Sequence, residues 1–180
     1  MSKQVTVYNL AELSRMFPVA VKRVHEQWAD LVARTSDTPW ADETFASLRA
    51  VVDRCGGKLV DWSIGAYSAC SARVQGIDDH ERDREWFLRN VLCPLGYVSE
   101  NGRVRFPGVC GLTGYYADDV LLEETWAALN GGKTLTHALE GLATVAGRMM
   151  ESNLEQRQSE DNMFANWGER FFTADGKPVD

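Results

Sequence analysis

At Gly56–Gly57 the apolar residues of the chain change their period. Before the pair, Phe45, Leu48, Val52 and Cys55 recur every three or four positions, the spacing of one buried face on a helix. After it, in "KLVDWSIGAYSAC", Val60, Trp62 and Ile64 alternate with Asp61, Ser63 and Gly65, the period of a strand. Consecutive glycines stop a helix, because glycine reaches the left-handed conformation of a C-cap without steric cost. A helix followed directly by a strand excludes an all-α or all-β chain. The alternation points Trp62 into the core beside Val60 and Ile64; the alternative reading is an aromatic anchor at an interface.

The same reasoning extends in both directions. "QVTVYNL" alternates Val5, Val7 and Asn9 with Thr6 and Tyr8 and predicts a short first strand. Ser14 is positioned to cap a helix through "RMFPVAVKRVHEQWADLV", where Phe17, Val21, Val24, Trp28 and Leu31 form one stripe. Pro18 falls in its first turn, where a missing N–H costs least, and Pro39 opens the second helix. "SARVQGIDD" reads as a loop, with Asp78 or Asp79 capping a helix that ends at Cys93–Pro94. "YVSENGRVRF" is a hairpin signal with a two-residue Asn101–Gly102 turn. Two helices follow, Asp118 to Leu129 and Thr134 to Gln158, separated by Gly131–Gly132. "RFFTADG" predicts a last strand before an Asp175–Gly176 turn, in one sheet with the Trp62 strand. The expectation is a single α+β domain over residues 1–180, a small, mostly antiparallel sheet with amphipathic helices packed on it.

The charge is unevenly placed. Residues 1–115 carry 14 acidic and 14 basic side chains, whereas residues 116–180 carry 12 and 5, the whole of the net −7. An acidic third without a basic stripe disfavours direct nucleic-acid binding and suits a partner with a basic surface. No apolar run approaches the roughly 18 residues of a membrane span, and "MSKQVTVYNL" lacks a secretory layout, so a cytoplasmic protein is expected. Cys55, Cys70, Cys93 and Cys110 form no C-x-x-C pair, and His25, His80 and His137 are as scattered. This spacing predicts buried thiols, no stoichiometric metal and no cofactor.

Three patterns bear on chemistry. Gly132–Lys133–Thr134 resembles the end of a phosphate loop, but Ala127 stands where that loop needs glycine, and the preceding residues are helical. "DDHERDRE" gathers Asp78, Asp79, His80, Glu81 and Asp83, which could hold a hard divalent cation or simply start a solvated helix. No G-x-S-x-G elbow marks a nucleophile. What remains is a set of aromatic residues near acidic ones. Tyr67, Tyr115 and Tyr116 lie in turns, where packing demands less, and Asp118, Asp119, Glu123 and Glu124 follow directly. Tyr side chains anchor interfaces at low entropic cost, so these seven residues are the candidate protein-binding set.

The segments "VYNLAELS", "PWADETFASL", "DWSIGAYS", "CGLTGYYADD", "LEQRQSEDN" and "FFTADGKP", in this order, resemble a family of small tailed-phage and prophage proteins. Some of its members carry the label of an antitoxin of a toxin–antitoxin stability system. The resemblance covers nearly the whole chain except residues 73–105, implies a phage or prophage in a bacterium, and brings no catalytic residue. The expected function is a non-enzymatic protein-binding factor that inhibits a host defence system, of CRISPR or another type, through its acidic surface. The alternatives are an antitoxin-like neutraliser of a toxin, or a small metal-dependent enzyme built on Asp78–Asp83.

Overall fold

The computed structural model describes residues 6–35, 39–99, 101–106, 108 and 110–179. The chain has the expected α+β architecture, with seven α-helices and small antiparallel sheets among the described residues. It divides into two compact units, one formed by residues 1–37 with 152–180 and the other by residues 38–151.

The first unit begins with β1 (Tyr8–Asn9), α1 (Leu10–Met16) and α2 (Pro18–Thr35). Asn9 caps α1, accepting the Glu12 N–H while Glu12 reaches back to the Asn9 N–H. This reciprocal pair satisfies two backbone donors that a helix start leaves open. Ser14, expected as a cap, instead lies inside α1, a separate short helix ahead of the striped one, which begins only at Pro18. Val5 of the predicted first strand lies outside the described residues. On α2 the buried face runs through Val21, Val24, Trp28 and Val32, while Leu31 is exposed.

The second unit holds α3 (Pro39–Arg54), β2 (Lys58–Ser63), β3 (Ser71–Gln75), α4 (Arg84–Phe87) and a π-helical turn at Leu88–Leu92. It continues through α5 (Ala117–Asn130) and into α6 (Leu135–Gln158). The expected loop at Ser71–Gln75 is a strand paired antiparallel to β2, from Lys58↔Gln75 to Ser63↔Ser71. A register shift between Leu59 and Asp61 breaks the alternation of β2. Trp62 is consequently 47% exposed, stacked on Phe45 with ring centroids 4.7 Å apart, and does not join the core. The core is instead built from residues such as Leu48, Val52, Phe87, Leu121, Leu139 and Leu142, all at most 1% exposed. Each fully buried Leu or Phe contributes about 1.5–3 kcal/mol of transfer free energy.

The last two turns of α6, from Ser152, belong to the first unit, followed by α7 (Glu160–Trp167), β4 (Phe171–Phe172) and β5 (Pro178–Val179). Here Trp28 donates its indole N–H to the Arg157 carbonyl, and His25 meets the Gln158 carbonyl at 2.6 Å. Side chains of α2 thus satisfy carbonyls that the end of α6 leaves without helical partners. Ser159 caps α7 through the Asn162 N–H. The sheet order is β1-β4-β5, with Tyr8↔Phe172 and Phe172↔Pro178 in register. Proline on the edge strand forfeits no ladder bond. The Asp175–Gly176 turn forms as expected, and Gly176 is required there: its φ is +82°, and a Cβ would lie 2.8 Å from the Ala20 carbonyl. The expectation of one sheet is corrected, since among the described residues "RFFTADG" pairs with β1 and β5, and the Trp62 strand with β3.

Candidate functional site

The chain between Tyr97 and α5 is a long connection with little regular structure. It opens with the expected hairpin, bridged at Val98↔Val104 and closed by Arg105 N–H to the Tyr97 carbonyl at 2.8 Å. The Ser99 N–H bonds the Arg103 carbonyl, so three residues rather than two span the turn, and Gly102 supplies the positive φ of +72°. Beyond it the backbone passes through left-handed conformations at Gly108, Cys110 and Gly114. Such a path forms no ladder, and its N–H groups must find acceptors elsewhere.

Two carboxylates supply them. Asp118 accepts the N–H groups of Leu112, Thr113 and Gly114 at 3.0, 2.7 and 3.2 Å, together with the Thr113 hydroxyl. Asp119 accepts from the N–H groups of Gly108 and Cys110 and from the Tyr97 hydroxyl. Tyr97 in turn receives the Gly111 N–H at 3.2 Å. Both carboxylates stand in the first turn of α5, where the helix dipole also favours negative charge. Burial pushes the Asp118 carboxyl up, but the hydrogen bonds from Thr113, Ser47 and Leu112 outweigh it and hold the group below the usual carboxylate range. The Cys110 thiol is raised by burial and by the neighbouring Asp119 and Asp118 charges, which makes it a poor nucleophile.

Asp118 and Asp119 are therefore 0% and 4% exposed, and the expectation that they belong to an acidic binding face is corrected. No local sequence signal separates them from solvated carboxylates at a helix start, since both suit the first turn equally well. What they hold in place is exposed. Tyr116 at 69% and Tyr115 at 39% stand at the head of α5, and Glu123 and Glu124 are exposed further along it. Glu123 follows Tyr116 by two helical turns and shares its face. Tyr67, 59% exposed with φ +59°, lies in the β2–β3 connection, on a different element from the other candidates.

The Asp78–Asp83 segment is occupied by capping. Asp79 accepts the Thr136 N–H at the start of α6, Asp83 that of Trp86 in α4, and Asp78 that of His80. The helix expected to begin at Asp78 or Asp79 begins after Asp83. Among the described residues no three His, Cys, Asp or Glu side chains converge as a metal site. A hollow of about 270 Å³ that sequence patterning missed lies beside the stacked Phe45 and Trp62, bordered by Asp42, Ile64, Ala146 and Met150. The break in β2 register that exposes Trp62 left no mark in composition. No described helix is long and apolar enough to cross a membrane. The chain matches no protein-family model, no curated protein and no solved structure.

Proposed function

We propose that the chain is a non-enzymatic protein-binding factor of phage or prophage origin that acts in the bacterial cytoplasm against a host defence complex. The observation that carries the reading is the exposed pair Tyr115 and Tyr116 at the end of a loop whose Cys110, Leu112, Thr113 and Gly114 N–H groups are held by the buried Asp118 and Asp119. An aromatic pair on an already ordered loop binds without the loop-ordering cost that otherwise adds to the translational and rotational freedom lost on association. With Asp118 and Asp119 inside, an excess of five negative charges in residues 116–180 remains to steer a basic partner, Glu123 and Glu124 among them. Complexes that handle nucleic acid present such basic grooves.

The test is phage plaquing on bacteria carrying an active defence system, with and without the expressed protein. The wild type restores plaquing on a strain whose defence it blocks, and the Tyr115→Ser/Tyr116→Ser variant, folded by circular dichroism, does not. Glu123→Gln/Glu124→Gln slows association with the isolated complex at low salt more than at high salt, because the Debye length falls from ~10 Å at 0.1 M to ~3 Å at 1 M. Unchanged plaquing across a panel of defence systems would sink the reading.

A further inference from the structure

The hollow beside Phe45 and Trp62 belongs wholly to the second unit and is bounded by α3, the end of β2 and α6. Its volume is about 270 Å³ and its lining is mostly apolar, with Trp62, Ile64 and Met150 among the walls. Trp62 stays 47% exposed although its ring packs on Phe45. An apolar cavity of about 150 Å³ already admits benzene, so one substituted ring fits here.

Two polar side chains border it without protein partners. Thr44 lines the hollow and is only 6% exposed. Its hydroxyl makes no hydrogen bond among the described residues, yet it is not sealed from water as the Arg157 Nη1 is. The little surface that Thr44 keeps therefore opens on the hollow. A hydroxyl so deeply set and without a protein partner is uncommon, because burying it unpaired costs free energy. Asp42 also lines the hollow and forms no ion pair or hydrogen bond among the described residues. Arg49 lies over the Phe45 ring, 5.1 Å from its centroid, and is not part of the lining. On a helix of about 3.6 residues per turn, positions 42 and 44 fall on opposite flanks of the α3 face that carries Ala41 and Phe45. The hollow thus has an acid on one flank, a neutral hydrogen-bonding group on the other and an aromatic wall between them.

We infer that this hollow is a binding site for a small aromatic ammonium compound with a hydroxyl at its far end, and it shares no residue with the Tyr115–Tyr116 surface. The ring lies against Trp62, the ammonium takes the Asp42 flank, and the far hydroxyl pairs with Thr44. An anionic compound of the same shape meets the Asp42 charge and is rejected.

The full chain is titrated with tyramine while the Met150 methyl resonance, assigned with Met150→Leu, is followed by NMR. Three relatives of the same size are titrated beside it: tyrosol, which lacks the charge, phenethylamine, which lacks the hydroxyl, and para-hydroxyphenylacetate, which reverses the charge. Tyramine is expected to shift the resonance saturably, and tyrosol and phenethylamine to bind more weakly by a factor of roughly three to ten. Asp42→Asn should abolish the preference for tyramine over tyrosol, and Thr44→Val the preference over phenethylamine, each in protein folded by circular dichroism. The ligand order on the wild type tests the inference even where a variant does not fold. No saturable shift, equal binding of para-hydroxyphenylacetate, or a ligand order that either folded variant leaves unchanged would overturn it.

Discussion

The Asp118 carboxylate holds Thr113 twice, accepting its backbone N–H and its hydroxyl, each at 2.7 Å. The Ser47 hydroxyl on α3 lies 3.0 Å from the same Thr113 oxygen, so the loop before α5 is tied to two helices through one threonine. Charge-assisted hydrogen bonds of this kind are roughly twice as strong as neutral ones. Asp118→Asn is expected to destabilise the protein by about 2–3 kcal/mol, read by urea denaturation, because the amide nitrogen opposes donors where an oxygen accepted them.

The pH dependence of this contribution has a definite sign. The folded Asp118 carboxyl is held below its ordinary value, against the push of burial, by its hydrogen bonds from Thr113 and the neighbouring donors. A depressed pKa adds stability that is complete above the unfolded value of about 3.9 and is lost as pH falls through the lower folded value. Wild-type stability should therefore fall more steeply than that of Asp118→Asn between pH 5 and the acid limb. Parallel stability curves for the two proteins would contradict the assignment.

Tyr97 joins the second carboxylate to the loop, donating to Asp119 and accepting from the Gly111 N–H. Its ring is 1% exposed, so Tyr97→Phe keeps the packing and removes only the hydroxyl. The Asp119 oxygen and the Gly111 N–H are then left short of a partner, at a cost of about 1–3 kcal/mol. Amide exchange at Gly111 should rise with little change at Leu121 in the core of α5. Uniform acceleration across both sites would mean that the hydroxyl supports the whole unit rather than the loop.

What could be read from sequence follows from where the signals are local. The α5–α6 junction was legible because Gly131–Gly132 cannot continue a helix and Thr134 caps the next, accepting the His137 N–H. β3 was not, because its alternation of Ser71, Arg73 and Gln75 with Ala72 and Val74 offers only two apolar positions, one of them a half-buried alanine. A strict period of two points Trp62 into the core, but the Leu59/Asp61 register shift interrupts that period. Asp118 and Asp119 were misplaced for a different reason. In a helix's first turn a buried loop anchor and a solvated carboxylate have the same local sequence, and the distinction lies in the Gly108–Gly114 amides that fold back onto them.

The cysteines should differ sharply in reactivity. Cys55 is fully buried, and burial pushes its thiol up to about 12 despite the opposing Arg82 and Arg54 charges. Cys93 is exposed. Because the thiolate is the reactive species, a thiol reagent in native buffer should label Cys93 first and Cys55 only after denaturation. Cys93→Ser should remove the fast phase. Fast labelling of Cys55 in the native protein would show that its burial is transient.

Gly147 in α6 offers a substitution whose expected sign is opposite to its helix propensity. Alanine in a helix interior is normally favoured over glycine by about 1 kcal/mol. A Cβ at Gly147, however, would run into the Cys70 sulfur and sit 3.4 Å from the Gly65 carbonyl. Cys70 cannot move away freely, because its thiol also contacts the carbonyls of Gly65 and Ser68, both at 3.4 Å. Gly147→Ala should therefore destabilise the protein by about 1–2 kcal/mol, the ordinary cost of overpacking. Removing the obstacle reverses the sign: in a Cys70→Ala background, Gly147→Ala should be neutral or stabilising. A double-mutant cycle by urea denaturation measures the coupling directly. Additive effects at the two positions would mean that α6 does not approach the β2–β3 connection as closely as Cys70 and Gly147 require.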